Sequence, residues 1–363
     1  MKKILYITPF VPSERDAGTN FSKQLIEKIA EKNRIDLFYF KYSEDDIYKV
    51  SNPNINVLTY VSNNKAYKVF NAFLYPILFP LFTVRFNWFV LLTLYRKVCK
   101  TNYDIIYFDF SQTFLYAKFL KCSSKILMSH DVIFQRFERK KSIFLWWVLK
   151  SERFLLHTKN AQIFTFSQKD TNLIAEKYKV PSIPTNFFIS HKILEIKDVS
   201  CDASFVMFAM WKRADNYIPL QWLMDNVFPY VSKKIKIIGG GLSKDLKTKI
   251  ENFQNVEYLG FLDNPYPLIS SASALLAPLF SGAGVKVKVV ESLACGTPVL
   301  GTKIAFEGID IMYSDFMIHA NSANDYINLI NNFAISSFDK MKFREKFLNS
   351  YSNMSLLNFI NNQ

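Results

Sequence analysis

Two lysines, a glutamate and a pair of glycines stand close together in the run Ser281-Gly-Ala-Gly-Val-Lys-Val-Lys-Val-Val-Glu-Ser-Leu-Ala-Cys-Gly-Thr-Pro298. The pattern predicts a helix from about Val285 to Cys295, stopped by Gly296 at its C-terminal cap and by Pro298. On that helix Val287, Val290 and Ala294 form one apolar stripe toward a sheet. Gly284, Lys288, Glu291 and Cys295, at i, i+4, i+7 and i+11, form a separate polar stripe. Lys286 and Lys288 fall in the first turn. A helix N-terminus is already partly positive, so cations there are mildly destabilising unless an anion joins them. A diphosphate would be such an anion. Glu291, one turn deeper, would accept hydrogen bonds from a pair of sugar hydroxyls. A Lys/Glu pair at i, i+3 on an ordinary amphipathic helix would explain Lys288 and Glu291 alone. It would not explain the glycine-rich entry with Lys at both 286 and 288.

Other chemistry-bearing types are thinly spread. Cys99, Cys122, Cys201 and Cys295 lie far apart, which argues against a disulfide framework and a zinc site. No two of the four His sit at ligand spacing with acids, so neither a metal centre nor another cofactor is expected. His130 follows a strand-like run within Ser129-His130-Asp131. Adjacent residues on a strand point to opposite faces, so these three imply no catalytic triad. Taken alone, a histidine at a strand end is more often structural than catalytic. Gly239-Gly240-Gly241 follows a strand without completing the dinucleotide fingerprint, and the N-terminal strand lacks it altogether, which weakens a nicotinamide reading.

The elements that must position these residues alternate along the chain. Strand-like runs at Ile4–Thr8, Ile35–Phe40, Ile55–Tyr60, Ile105–Phe108, Ile126–Met128 and Ile163–Phe166 are mostly separated by helical stretches. The pattern breaks around 180–200, where Pro181, Pro184 and Glu195 to Asp202 read as a linker. It then restarts with Phe205–Ala209, Ile235–Ile238, Val256–Leu259, Ala274–Ala277 and Val299–Leu300. Two doubly wound α/β domains are expected, over 1–195 and 203–335, followed by a helical tail over 336–363 that packs back across the domain junction. A chain of 363 residues is long enough for both.

Charge and aromatic content suggest partners. The formal net charge is +14, and between Val61 and Asn160 there are 16 Lys or Arg against 5 Asp or Glu. Such a surface attracts phosphorylated substrates, anionic lipid or nucleic acid, although a solvated basic face would look the same. No nucleic-acid-binding motif is recognisable. Val69 to Leu92 is apolar and aromatic but broken by Pro76, Pro80, Arg85 and Asn87, so it is too short to span a bilayer. Arg136 to Leu156 mixes Arg139, Lys140 and Lys141 with Phe144, Trp146 and Trp147, which suits a helix at a membrane interface as well as one packed on a core. No secretory signal is read, and a reducing cytoplasm, at the inner face of the cell membrane, is the expected location.

The run Gly282 to Val299 resembles the donor-binding motif of family 4 glycosyltransferases of the GT-B fold, most closely the branch with Lys residues before the motif's second Glu. Phe205 to Pro229, Ile235 to Gly241 and Val256 to Phe261 resemble further parts of its donor domain. Thr8 to Gly18, Ser129-His130-Asp131 and Phe166-Ser167 resemble landmarks of its acceptor domain. The resemblance implies two Rossmann-like domains facing across a cleft, with the C-terminal helix returning toward the first. It implies retaining transfer from a nucleotide-sugar to a glycan or lipid-diphosphate-linked acceptor, without an essential metal, in polysaccharide or lipopolysaccharide synthesis. Glu291 would bind the donor ribose, and Lys286 and Lys288 would face the diphosphate. Gly18 would let the first loop approach the phosphates, Gly240 would lie in the second glycine turn, and His130 would sit near the transferred sugar.

The sequence also departs from the family. Ala283 stands where many relatives carry an acid. Lys212 and Arg213 occupy the loop after the first donor-domain strand, with Asp215-Asn216 where a later Lys is common. Glu307-Gly308 is a candidate replacement contact. A sugar-nucleotide epimerase or hydrolase, and a relative that binds donor without turnover, therefore remain open alternatives.

Overall fold

Continuous apolar runs form strands that can be covered on both faces, and here they build two parallel sheets. The structure is a computed structural model that describes residues 1–363 except 15, 43–44, 46, 63–65, 67–68, 72–76 and 198–199. Part of the Val69 to Leu92 segment, including Pro76, lies outside the described residues. The chain divides into two units, residues 1–188 with 353–363, and residues 189–352.

The first unit holds β1 (Lys3–Thr8), β2 (Arg34–Lys41), β3 (Ile55–Ser62), β4 (Ile105–Asp109), β5 (Ser124–Ser129), β6 (Ala161–Thr165) and β7 (Ser182–Pro184). They pair in parallel in the order β3-β2-β1-β4-β5-β6-β7. Leu5, Ile7, Phe38, Phe108, Leu127 and Ile163 belong to its buried core. The second unit holds β8 (Phe205–Phe208), β9 (Ile235–Ile238), β10 (Val256–Gly260), β11 (Ala274–Ala277), β12 (Val299–Gly301) and β13 (Met317–His319), in the order β10-β9-β8-β11-β12-β13. Each sheet starts at its centre and is wound outward in both directions. The strand order reverses between β1 and β4 and again between β8 and β11. Loops leaving the carboxyl ends of such a pair diverge and open a ligand crevice.

The structure corrects the sequence reading in two places, adds a short strand, and divides the tail, whose last helix returns to the first unit as expected. The Pro-bearing stretch near 180 is a strand, β7, and Pro184 is tolerated there because β7 is the sheet edge. The Arg136 to Leu156 segment is two helices, Ile133–Arg139 and Leu145–Leu156, broken where Lys141 turns to a positive φ of 47°. Short β13 carries too few apolar residues to be read from sequence. The tail is split. Helix Ser337–Ser350 belongs to the second unit, where buried Lys340 donates to the carbonyls of Ser200, Ser270 and Ala272. Helix Ser355–Asn362 belongs to the first, where Lys2 Nζ donates to the carbonyl oxygens of Ile360 at 2.8 Å and Asn361 at 2.9 Å. No described helix is long and apolar enough to cross a membrane.

Candidate functional site

The crevice between β8 and β11 gathers most of the residues singled out from sequence. After β8 the chain runs through Trp211, Lys212 and Arg213 into helix Ala214–Asn226. After β11 it runs through Ser281 to Lys286 into helix Val287–Ala294. Two side-chain bonds tie these segments together. Ser281 Oγ donates to Asp215 Oδ1 at 2.7 Å, and Lys288 Nζ donates to Asn216 Oδ1 at 3.0 Å. The turn after β9 completes the floor. Trp211 N donates to Gly240 O at 2.9 Å, and Trp211 Nε1 to Ile238 O at 3.1 Å. Gly239 has a φ of +120°, and a Cβ there would lie 1.8 Å from Ala209 O, so only glycine fits. Gly240 itself is uncrowded; its neighbour Gly241 is the one packed against Lys212.

The helix bearing Lys288 and Glu291 starts later than its sequence pattern predicts. Lys286 is its extended N-cap, with φ −92° and ψ 101°, rather than a first-turn residue. Its ammonium folds back to donate to the carbonyls of Gly284 at 2.6 Å and Ala283 at 3.2 Å. The buried face is Val289, Val290, Leu293 and Ala294, and Val287 is only half-buried. Cys295 is fully buried in the core, and Gly284 precedes the helix with a φ of 67°. The predicted polar stripe thus reduces to Lys288 and Glu291, because the helix begins two residues later and is turned to bury Val289. Gly296 ends it with a φ of 76°, as its sequence position predicts.

The electrostatics of this floor are unfavourable as they stand. Burial pushes the Lys288 ammonium down to about 8, and the neighbouring charges of Arg213 and Lys286 push the same way, against Asp215. Burial pushes the Glu291 carboxyl up to about 7, although Tyr266 Oη donates to Oε1 at 2.8 Å and favours the ionised form. A cluster of cations and a desolvated carboxylate at one crevice is typical of a binding site. Glu307 and Gly308 lie in the turn after β12, at the same end of the sheet, with Gly308 at a φ of 77°.

Gly18 and His130 belong to the first unit, at the β1/β4 reversal. Asp16 caps helix Ala17–Ala30, its carboxylate accepting from Gly18 N and Thr19 N. A Cβ on Gly18 would lie 2.8 Å from Phe110 Cζ, which packs against that turn. His130 stacks on Phe110 with ring centroids 3.5 Å apart, and Phe110 is held at a φ of 58° to reach it. His130 Nε2 hydrogen-bonds Asp109 Oδ1 at 2.8 Å. Fully buried Asp109 also accepts from Thr8 Oγ1 at 3.0 Å and Ser22 Oγ at 2.5 Å. A carboxylate only accepts, so Nε2 is the ring nitrogen that donates to Asp109. Asp131 turns instead to Arg136, at 2.6 Å. Sequence reasoning thus missed Asp109, Asn216 as the partner of Lys288, and Tyr266. Asp109 ends a strand, which is a weak signal; nothing in sequence spacing ties Tyr266 to Glu291. Among the described residues no group of three or more His, Cys, Asp or Glu is placed to hold a metal ion.

Comparisons with known proteins follow the same division. The family model described as "Glycosyl transferases group 1" matches residues 204–334, the strands and crevice of the second unit. No curated protein matches the chain by sequence. Among solved structures, sucrose-phosphate synthase from Thermosynechococcus elongatus superposes with a TM-score of 0.69 at 13% identity, covering 98% of this chain and 96% of that one. WaaG, a glycosyltransferase involved in lipopolysaccharide biosynthesis, gives 0.67 at 10% identity, covering 99% and 98%. Anabaena Alr3699/HepE in complex with UDP and glucose gives 0.66 at 12%, covering 100% and 98%. At these identities the likeness is one of fold, and the fold is GT-B.

Proposed function

We propose, from the group 1 match over residues 204–334 and the GT-B fold, that this chain is a glycosyltransferase that moves a sugar from a nucleotide-sugar to a glycan or lipid-diphosphate-linked acceptor. The observation that carries the donor assignment is the crevice between β8 and β11. Burial there, with the neighbouring charges of Arg213 and Lys286, makes it costly for Lys288 to stay charged, and a diphosphate would relieve it. Glu291, already steered by Tyr266, would accept from the ribose hydroxyls. Lys212 and the Gly240 turn would flank the phosphates, with Gly284 giving them room and Glu307-Gly308 reaching the sugar. Structural neighbours solved with UDP or UDP-glucose make a nucleotide-sugar the natural donor class to test.

In this reading the leaving diphosphate gains negative charge in the transition state, and Lys286, Lys288 and the helix N-terminus stabilise it. His130 is the first unit's catalytic residue, offering Nδ1 to a substrate hydroxyl. Double displacement needs a second carboxylate as nucleophile, and none was evident in the sequence. Transfer is therefore taken as front-face, with retention and without an essential metal. The first unit would take the acceptor. Exposed Ile143, Phe144 and Trp146, with the Lys150 ammonium 3.7 Å over the Trp146 ring, suit a membrane-interface contact in polysaccharide or lipopolysaccharide synthesis.

The test is a nucleotide-sugar panel with mass detection of released nucleoside diphosphate, with and without lipid-linked acceptors. Acceptor-dependent release supports transfer. Consumption without any acceptor supports an epimerase or hydrolase, and binding without release supports an inactive relative.

A further inference from the structure

The first unit buries a guanidinium that the proposed chemistry has not used. Arg85 follows the short helix Pro80–Thr83 and is 2% exposed. Its backbone is fixed, since Tyr116 Oη donates to Arg85 O at 2.6 Å and accepts from Asn87 N at 3.0 Å. Of its side-chain nitrogens, Nη2 donates to Tyr42 Oη at 3.2 Å, whereas Nε and Nη1 are buried without a hydrogen-bond partner. Among the described residues no carboxylate forms an ion pair with it. Three rings surround it instead: Cζ lies 5.3 Å from the ring centroid of Phe10, 5.4 Å from Tyr42 and 5.8 Å from Phe40.

Aromatic faces attract a guanidinium, but they do not replace the hydrogen bonds of its N–H groups. A buried cation with N–H groups left unpaired is costly in a folded protein. Such exceptions call for a specific explanation. The position of this one is informative. Phe10 follows β1, and Phe40 and Tyr42 lie at the end of β2, so Arg85 sits at the carboxyl ends of strands beside the β1/β4 reversal, where open α/β sheets take ligands. Phe10 also packs edge-on against Phe110 at 5.3 Å, and Phe110 is the ring stacked on His130. Arg85 and His130 therefore share one rim of the sheet. Close by, Asn71 Nδ2 reaches Val84 O at 3.5 Å and leaves Asn71 Oδ1 buried without a partner.

We propose that Arg85 is the anion-recognising residue of the acceptor subsite, and that the acceptor carries an oxyanion, phosphate or carboxylate, near the sugar ring that is extended. Nε and Nη1 donate to that oxyanion, the faces of Phe10 and Tyr42 take the apolar side of the ring, and Asn71 Oδ1 accepts from a ring hydroxyl. A guanidinium matches the planar geometry of these anions, and aromatic faces exclude the competing water. The inference rests on the reading that the first unit takes the acceptor.

The test follows thermal unfolding of the intact chain in inorganic phosphate, in acetate and in chloride at matched ionic strength. Wild type, Lys288→Ala, Arg85→Met and Arg85→Lys are compared. A bound anion raises the melting temperature in proportion to ln(1 + [L]/Kd). The proposal expects phosphate or acetate to raise it above the chloride control in wild type and in Lys288→Ala alike. The rise disappears in Arg85→Met and is reduced in Arg85→Lys. A response to phosphate alone assigns a phosphorylated acceptor, and a response to acetate assigns a uronate-like one. Once an acceptor is in hand, Arg85→Met raises its KM about tenfold and leaves the donor KM unchanged. No anion response in wild type overturns the proposal, even if Arg85→Met fails to fold. An equal response in wild type and Arg85→Met overturns it as well. A response lost in Lys288→Ala but kept in Arg85→Met places the anion at the donor crevice and also overturns it. The first two of these outcomes leave the donor-site assignment untouched, and the third would support it.

Discussion

Lys288 Nζ donates a 3.0 Å hydrogen bond to Asn216 Oδ1 and so joins the helix after β11 to the helix after β8. The partner is a neutral amide. It orients the ammonium without cancelling its charge, which is what a site for an incoming anion requires. An aspartate at 216 would hold the lysine more tightly and compete with a diphosphate.

On the proposed donor assignment, the two perturbed groups in the crevice would set a pH window for donor binding. Glu291, pushed up to about 7, is protonated below that pH and then accepts from ribose more weakly and through fewer sites. Lys288, pushed down to about 8, is neutral above that pH and no longer attracts phosphate. Donor affinity by calorimetry should therefore be highest between about pH 7 and 8 and fall on both sides. Glu291→Gln should remove the acid limb, and Lys288→Ala the alkaline limb. A flat profile in wild type would show that neither group binds donor.

Tyr266→Phe removes the hydroxyl that steers Glu291 and favours its ionised form. The acid limb should move to higher pH, and donor binding at pH 7 should weaken by about 3- to 10-fold, the net value of one ordinary hydrogen bond. The alkaline limb should stay in place. Movement of both limbs would indicate general damage to the crevice instead.

Gly239→Ala places a Cβ 1.8 Å from Ala209 O at a positive φ. The loops after β8 and β9 must then separate, at a cost of roughly 2 kcal/mol or more. Chemical denaturation should show that loss, together with weakened donor binding. Gly240→Ala, whose Cβ would meet only Phe261 Cβ at 3.7 Å, should be nearly silent in both measurements.

Glu152 supports the segment after His130. Its buried carboxylate accepts from Ile133 N at 2.9 Å, Phe134 N at 3.0 Å and Tyr178 Oη at 2.5 Å. Glu152→Ala leaves all three donors buried, and should cost about 3 kcal/mol in urea unfolding. Burial pushes this acid up from 4.5 to about 7 in the fold. A raised acid binds its proton more tightly when folded, so ionisation erodes stability as pH rises from about 4.5 to 7. Glu152→Gln should flatten the stability profile across that interval.

Sheet cores were largely legible in the sequence, because buried parallel strands are written as continuous apolar runs. The glycine-rich entry to the Lys288 helix is equally local. Edge elements were not legible: β7 contains Pro184, and β13 is three residues long. Partners distant in sequence were invisible for the same reason. Asp109 meets His130 only because β4 and β5 pair, and Tyr266 meets Glu291 only through packing in the second unit. Lys286 looked like a first-turn residue, since nothing in its spacing foretold that its ammonium would fold onto its own loop.

The most direct measurement is the rate of nucleoside diphosphate release from a nucleotide-sugar by the intact chain beside its Lys288→Ala and Glu291→Ala variants. The account predicts that wild type consumes at least one donor in the presence of acceptor, and that each variant slows by about tenfold or more, equivalent to roughly 1.4 kcal/mol. Wild-type rates in both variants would contradict it.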